Sequence, residues 1–165
     1  MQMNIRRLGA EDARAFRELR LEGLKMHPEA FGASFDDELA QPLERAAARL
    51  AENVVLGGFD AAGALQGIIG LRREKAAKIR HRAGIWGMYV APSGRGTGLA
   101  KNLLQAAINE AMVDCQSVLL SVTASNEAAK RLYQRAGFRE WAVDRKALCV
   151  EGAFVDEVLM RLDFA

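Results

Sequence analysis

Tyr89–Leu104 reads YVAPSGRGTGLAKNLL. An apolar run meets Pro92, passes three spaced glycines (Gly94, Gly96, Gly98) and continues into a pattern of helical period. A glycine loop that opens a helix presents consecutive backbone N–H groups, backed by the positive end of the helix dipole, to an anion. Small residues at Gly96, Gly98 and Ala100 let a pyrophosphate approach the backbone, and Arg95 adds charge-assisted bonds. The same string can also serve only as a tight strand-to-helix turn. Two nucleotide templates fail on it. A P-loop needs Lys followed by Ser or Thr, but Lys101 is followed by Asn102. A dinucleotide fingerprint needs Gly or Ala at its sixth position, and the two possible frames put Leu99 and Lys101 there.

Upstream, "NIRRL" reads as a short strand. The next segment carries Ala15, Phe16, Leu19, Leu24 and Met26 at helical spacing and ends near Pro28. "ELAQPLERAAARLA" reads as one alanine-rich helix with Pro42 in its first turns. "NVVLGGFD" and "ALQGIIGLRRE" form a hairpin, and "AGIWGMYVAP" is a third strand stopped by Pro92. After the loop, Leu99, Leu103, Ala106, Ala107 and Met112 mark a helical stripe. "SVLLSVTA" is a strand, and "NEAAKRLYQRAG" a helix with Asn126 as N-cap and Gly137 just past its end. The tail alternates as two strands that turn at Glu151-Gly152. The order βααβββαβαββ predicts an α/β (α+β) fold with helices packed on a sheet.

The 165 residues suit one domain, 1–165, and contain no linker, repeat or low-complexity tract. A net charge of +2 is too weak a bias for nucleic acid, and no apolar run is long enough for a bilayer. The basic stretch Arg72–Arg82 reads as a solvated hairpin. Cys115 and Cys149 stand far apart in no metal or redox pattern. Together with the absence of a signal-peptide pattern, they lead to the expectation of a cytoplasmic protein without a metal.

The string R-x-x-G-x-A at Arg95–Ala100, with "MYVAP" before it, resembles motif A of the GNAT superfamily of acyl-CoA-dependent N-acetyltransferases. "NEAAKRLYQRAGF" resembles the second block of that family, with Asn126, Ala129, Tyr133, Gly137 and Phe138 in register. The resemblance implies a mixed, mostly antiparallel twisted sheet flanked by helices on both faces. It implies acetyl-CoA as co-substrate, its pyrophosphate held by the backbone of Arg95, Gly96, Thr97, Gly98, Leu99 and Ala100. Its pantetheine arm would pair with the backbone of the segment Met88, Tyr89 and Val90 and with Asn126. Dimers are common in that family, although no segment of this chain specifies an interface.

The activity so implied is acetyl transfer from acetyl-CoA directly to a primary amine, with Tyr133 as proton donor to the departing thiolate. Each residue also has a plainer reading: Asn126 as a helix cap, Tyr133 as a core aromatic, Met88 and Val90 as core side chains. Many family members carry a glutamate on the strand before the loop; "AGIWGMYV" has none. His81 precedes Met88 by roughly 23 Å of extended chain, too far for direct proton transfer. No base is assigned, and water remains an option. The missing glutamate keeps open a second function, a catalytically idle acyl-CoA sensor. Phe31 and Phe35 are expected to line the acceptor pocket or to anchor their loop on the core. The run Asp36-Asp37-Glu38 is weighed as facing the amine. Trp86, placed on the same strand face as Met88, is expected to wall the acceptor site.

Overall fold

A computed structural model describes residues 3–165. Seven strands form one sheet in the order β1-β2-β3-β4-β5-β7-β6. They are β1 (Asn4–Arg7), β2 (Val54–Phe59), β3 (Leu65–Arg73), β4 (Arg82–Val90), β5 (Ser117–Thr123), β6 (Arg139–Val150) and β7 (Ala153–Asp163). Every neighbouring pair is antiparallel except β4 and β5. Helices α1 (Ala13–Met26), α2 (Phe35–Leu39) and α3 (Leu43–Glu52) precede β2; α4 (Leu99–Met112) and α5 (Glu127–Arg135) flank β5.

The helices divide between the two faces. Phe16, Leu19 and Leu24 of α1 and Leu50 of α3 pack with Val55, Ile68 and Tyr89. On the other face, Leu103, Leu104, Ala107 and Ala111 of α4 pack with Ile69, Leu71, Val118 and Met160, and α5 adds Tyr133 to the same cluster. Two methionines assigned to apolar stripes are instead exposed, Met26 at 53% and Met112 at 56%. Each is the last residue of its helix, where the packed stripe has run out.

The single alanine-rich helix expected around Pro42 is two helices. Proline lacks an N–H and disfavours helical geometry in the residue before it, so α2 ends at Leu39 and Pro42 becomes the N-cap of α3. In the basic stretch, Lys75, Lys78, Arg80 and His81 are exposed as expected. Arg73 is not simply solvated: its guanidinium binds Asp114 at 2.9 Å and the Glu110 carbonyl at 2.9 Å, tying β3 to the end of α4.

Two features of β4 shape everything that follows. Its parallel pairing with β5 lasts only from Arg82↔Ser117 to Gly84↔Leu119, after which the strands part. Against β3, Gly70 pairs with Trp86 and Ile68 with Tyr89, so Gly87 and Met88 together oppose Ile69. This is a bulge, and Gly87 takes a φ of +63° there, which a side chain would resist. The extra residue reverses the alternation of faces. Trp86 and Tyr89 therefore point toward α1, while Ile85, Met88 and Val90 point toward α4. Trp86 and Met88 lie on opposite faces, not on one.

At the start of the chain, Asp12 accepts two 2.9 Å bonds from Arg6 and a third from the Gly9 N–H. The Arg6 bonds hold its carboxyl below the usual carboxylate range despite burial. A depressed acid stabilises the fold above its unfolded pKa of ~3.9 and loses that contribution as pH falls through the folded value. Asp12→Ala is expected to cost ~1–2 kcal/mol at pH 7, the larger part from the lost cap because water screens half-exposed Arg6. Urea unfolding at pH 7 and pH 3 checks this, with the gap between variant and parent narrowing at the lower pH.

Candidate active site

Where β4 and β5 separate, they leave a cleft of ≈ 630 Å³. Met88, Tyr89 and Val90 form one wall; Val122, Asn126 and Tyr133 form the other. Arg95 and Ala100 lie at the loop end, and Phe31, Trp86 and Gly87 stand on the α1 side. From Ile85 onward, β4 has no strand partner on its β5 side. The Val90 carbonyl instead accepts a 3.3 Å bond from Arg95 Nε.

The glycine loop reaches α4 through two left-handed residues, Gly96 (φ +75°) and the N-cap Gly98 (φ +82°). The Arg95 N–H is taken by the Pro92 carbonyl, and the Leu99 N–H by Thr97 Oγ1 at 3.3 Å. Among the described residues, the N–H groups of Gly96, Thr97, Gly98, Ala100 and Lys101 have no acceptor. Four of these five belong to the string picked out from sequence. Leu99 contributes differently, with its side chain buried in the core under the loop.

Tyr133 is 8% exposed and packs edge-on to Phe138. Its hydroxyl has one partner, the Met88 sulfur at 3.6 Å, a weak acceptor. Burial pushes its pKa up to about 12. The result is a protonated phenol, aimed at the cleft and without a strong acceptor. Asn126 caps α5 by accepting the Ala129 N–H at 3.2 Å, which leaves its side-chain amide free to donate into the cleft.

The acceptor side differs from expectation in two places. Phe31 lines the cleft, but Phe35, the first residue of α2, packs on the α1-side core and does not reach it. The acidic run does not face the cleft either. Asp36 and Asp37 are exposed in the first turn of α2, while Glu38 turns to Arg20 at 3.0 Å and Arg49 at 3.1 Å. Burial would raise the Glu38 pKa, yet the two guanidiniums hold it below normal, which makes it a poor base.

Glu22, His27, Glu29 and Thr123 join the site without having been singled out in the sequence. Tyr89 donates to Glu22 at 2.9 Å, and burial together with that carboxylate raises its pKa. His27 and Glu29 line the cleft, with His27 Nε2 3.4 Å from Arg95. The Thr123 hydroxyl donates to the Glu29 carbonyl, pinning this segment to the end of β5. Their relevance depends on where the end of α1 docks, which periodicity does not report. Among the described residues, no three His, Cys, Asp or Glu side chains gather in a way that could hold a metal ion.

Comparison with known proteins bears on the family and the fold. The sequence profile described as the acetyltransferase (GNAT) family matches residues 15–138. Mycothiol acetyltransferase of Renibacterium salmoninarum is 37% identical over 97 residues, covering 52% of this chain and 29% of that protein. The chain thus spans less than a third of that relative's length. A GNAT-family acetyltransferase from Streptococcus pneumoniae superposes with a TM-score of 0.84 at 22% identity, covering 99% of this chain and 100% of that one. The structure of yncA from Salmonella typhimurium, solved with its cofactor acetyl-CoA, gives 0.81 at 23% identity, covering 100% and 95%.

Proposed function

The chain belongs to the GNAT acetyltransferase family, and from that premise we propose that it transfers an acetyl group from acetyl-CoA directly to a primary amine. The observation that carries this reading is the cleft itself: free N–H groups at one end, an unpaired strand edge along it, and the Tyr133 phenol inside. Acetyl-CoA supplies a thioester whose carbonyl an amine can attack and whose thiolate then leaves.

The chain's residues divide the work. The N–H groups of Gly96, Thr97, Gly98 and Ala100, with the α4 dipole behind them, hold the pyrophosphate. Arg95 releases the Val90 carbonyl and turns to the phosphates. The backbone of Met88 to Val90, with the Asn126 amide, pairs the pantetheine arm as an added strand would. The Met88 N–H, in the bulge of β4 on the cleft wall, steadies charge on the carbonyl oxygen. Tyr133 gives its proton to the departing sulfur, and the amine's proton passes to water in the cleft. The amine enters from the α1 side, past Phe31 and Trp86.

Calorimetric titration with acetyl-CoA, with NAD and ATP as controls, tests the binding half. Heat with acetyl-CoA alone is expected. No heat and no thermal stabilisation would reduce the loop to a turn and overturn the reading. A panel of amines with acetyl-CoA tests the transfer half. Binding without turnover of any amine would favour the sensor role.

A further inference from the structure

Arg20 of α1 is 7% exposed, among the most buried charges in the fold. Its Nη2 donates to Glu38 Oε1 at 3.0 Å, but its buried Nε has no partner among the described residues. Its Nη1 lies 3.0 Å from the point where a Cβ on Gly87 would stand. Gly87 is the bulge residue on the cleft wall, so only bare backbone separates this guanidinium from the cleft. The guanidinium also stands 5.5 Å from the Trp86 ring and 5.9 Å from Phe31, the two aromatic walls of the acceptor side.

The charge count beside it does not balance. Glu38 Oε1 also accepts Arg49 Nη1 at 3.1 Å, and Arg49 stands 5.6 Å from the same Trp86 ring. Two guanidiniums thus share one carboxylate in a site largely closed to water. Burying an unbalanced cation is expensive, and pairing with a second anion relieves that cost. Arg20 lines a small pocket between α1 and α3, separate from the cleft; Arg17 and Arg45 border it too, and its described lining includes no acid besides Glu38. A purely structural clamp between α1, α2 and α3 needs neither the excess charge nor the unpartnered Nε.

Resting on the acetyltransferase reading, we propose that the acceptor is an amine that also carries a carboxylate, and that Arg20 draws that carboxylate to the bulge at Gly87. The Trp86 ring sets the depth at which it stops. The ring lies flat on β3 because Gly70 has no side chain; a Cβ there would fall 2.2 Å from it. With the acid bound, Arg20 and Arg49 share two carboxylates instead of one.

The test compares amino acids with their carboxamide and decarboxylated counterparts as acceptors, all with acetyl-CoA. The free acids are expected to show kcat/KM higher by about tenfold or more. In Arg20→Gln that preference should fall to near one, mainly through KM, while amines without a carboxylate change by less than about threefold. Arg20→Lys, which keeps a charge for Glu38, should retain part of the preference and serves if the glutamine variant does not fold. No preference in the parent protein, or an equal loss for acids and amines in Arg20→Gln, overturns the inference while leaving acetyl transfer intact. If no amine turns over, the same acids are titrated calorimetrically into CoA-loaded protein. Heat with acids but not amides supports the site, and no heat with any acid overturns it. Failure to bind acetyl-CoA at all counts against the proposed function instead.

Discussion

Tyr133→Phe lowers the rate of acetyl transfer by about 100-fold or more, the scale of a lost general acid, while acetyl-CoA affinity stays within about twofold. The argument rests on what the hydroxyl touches. Its partner is a thioether sulfur at 3.6 Å, so removing it strands no strong donor or acceptor. Stability should therefore move by less than about 1 kcal/mol. A hydroxyl kept in the core without contributing to stability is available for another task. The pH profile gives an independent reading. Burial raises the phenol's pKa to about 12, so the proton to be donated is still in place at pH 10. The parent enzyme should show no loss of turnover attributable to Tyr133 below about pH 11, whereas an exposed tyrosine would ionise near 10. Steady-state kinetics on both proteins from pH 6 to 10.5 make the check. Unchanged turnover in Tyr133→Phe would remove the residue from the chemistry.

Gly98→Val weakens acetyl-CoA binding by about tenfold or more. Gly98 holds φ at +82°, where an L-residue costs ~1–2 kcal/mol and a β-branched one more. No atom lies within 4 Å of the position its Cβ would take, so the free protein offers no clash. The damage is conformational: relaxing the strain turns the N–H groups on either side from the positions the glycine backbone gives them. Gly98→Asn separates this cause from crowding of the ligand, because asparagine tolerates left-handed geometry. If the loop's shape matters, asparagine keeps most of the affinity and valine does not. If both lose it equally, the open space above Gly98 is where the phosphates sit. Normal binding by folded Gly98→Val would show that these N–H groups hold no pyrophosphate.

Much of the molecule was legible because its signals are local. The seven strands, the turn at Glu151-Gly152 and the helix beginning at Asn126 follow from alternation, turn residues and capping. The loop's spaced glycines mark it as a close approach of backbone to an anion, and two of them, Gly96 and Gly98, take left-handed geometry. Where reading failed, a competing local rule or a distant neighbour was responsible. Pro42 sits within the first turns of one helix by pattern, but its ring separates two. Proximity in the chain groups Phe35 with Phe31, yet the start of α2 turns it to the core and away from the cleft. Strict alternation puts Trp86 on the face of Met88, and one extra residue at the bulge reverses it.

Local signals carried the order and kind of the elements apart from the division at Pro42, the resemblance to the family, and the two segments that face each other across the cleft. Periodicity, caps and glycine spacing are properties of consecutive residues, so they survive without coordinates. Only the tertiary structure decided that β4 and β5 part after Gly84, that a bulge aims Trp86 at α1, and that Arg20 and Glu38, 18 residues apart, meet behind it. Those outcomes come from register and docking between segments remote in the chain. There the energy of packing and of buried charge selects one arrangement that no single stretch encodes.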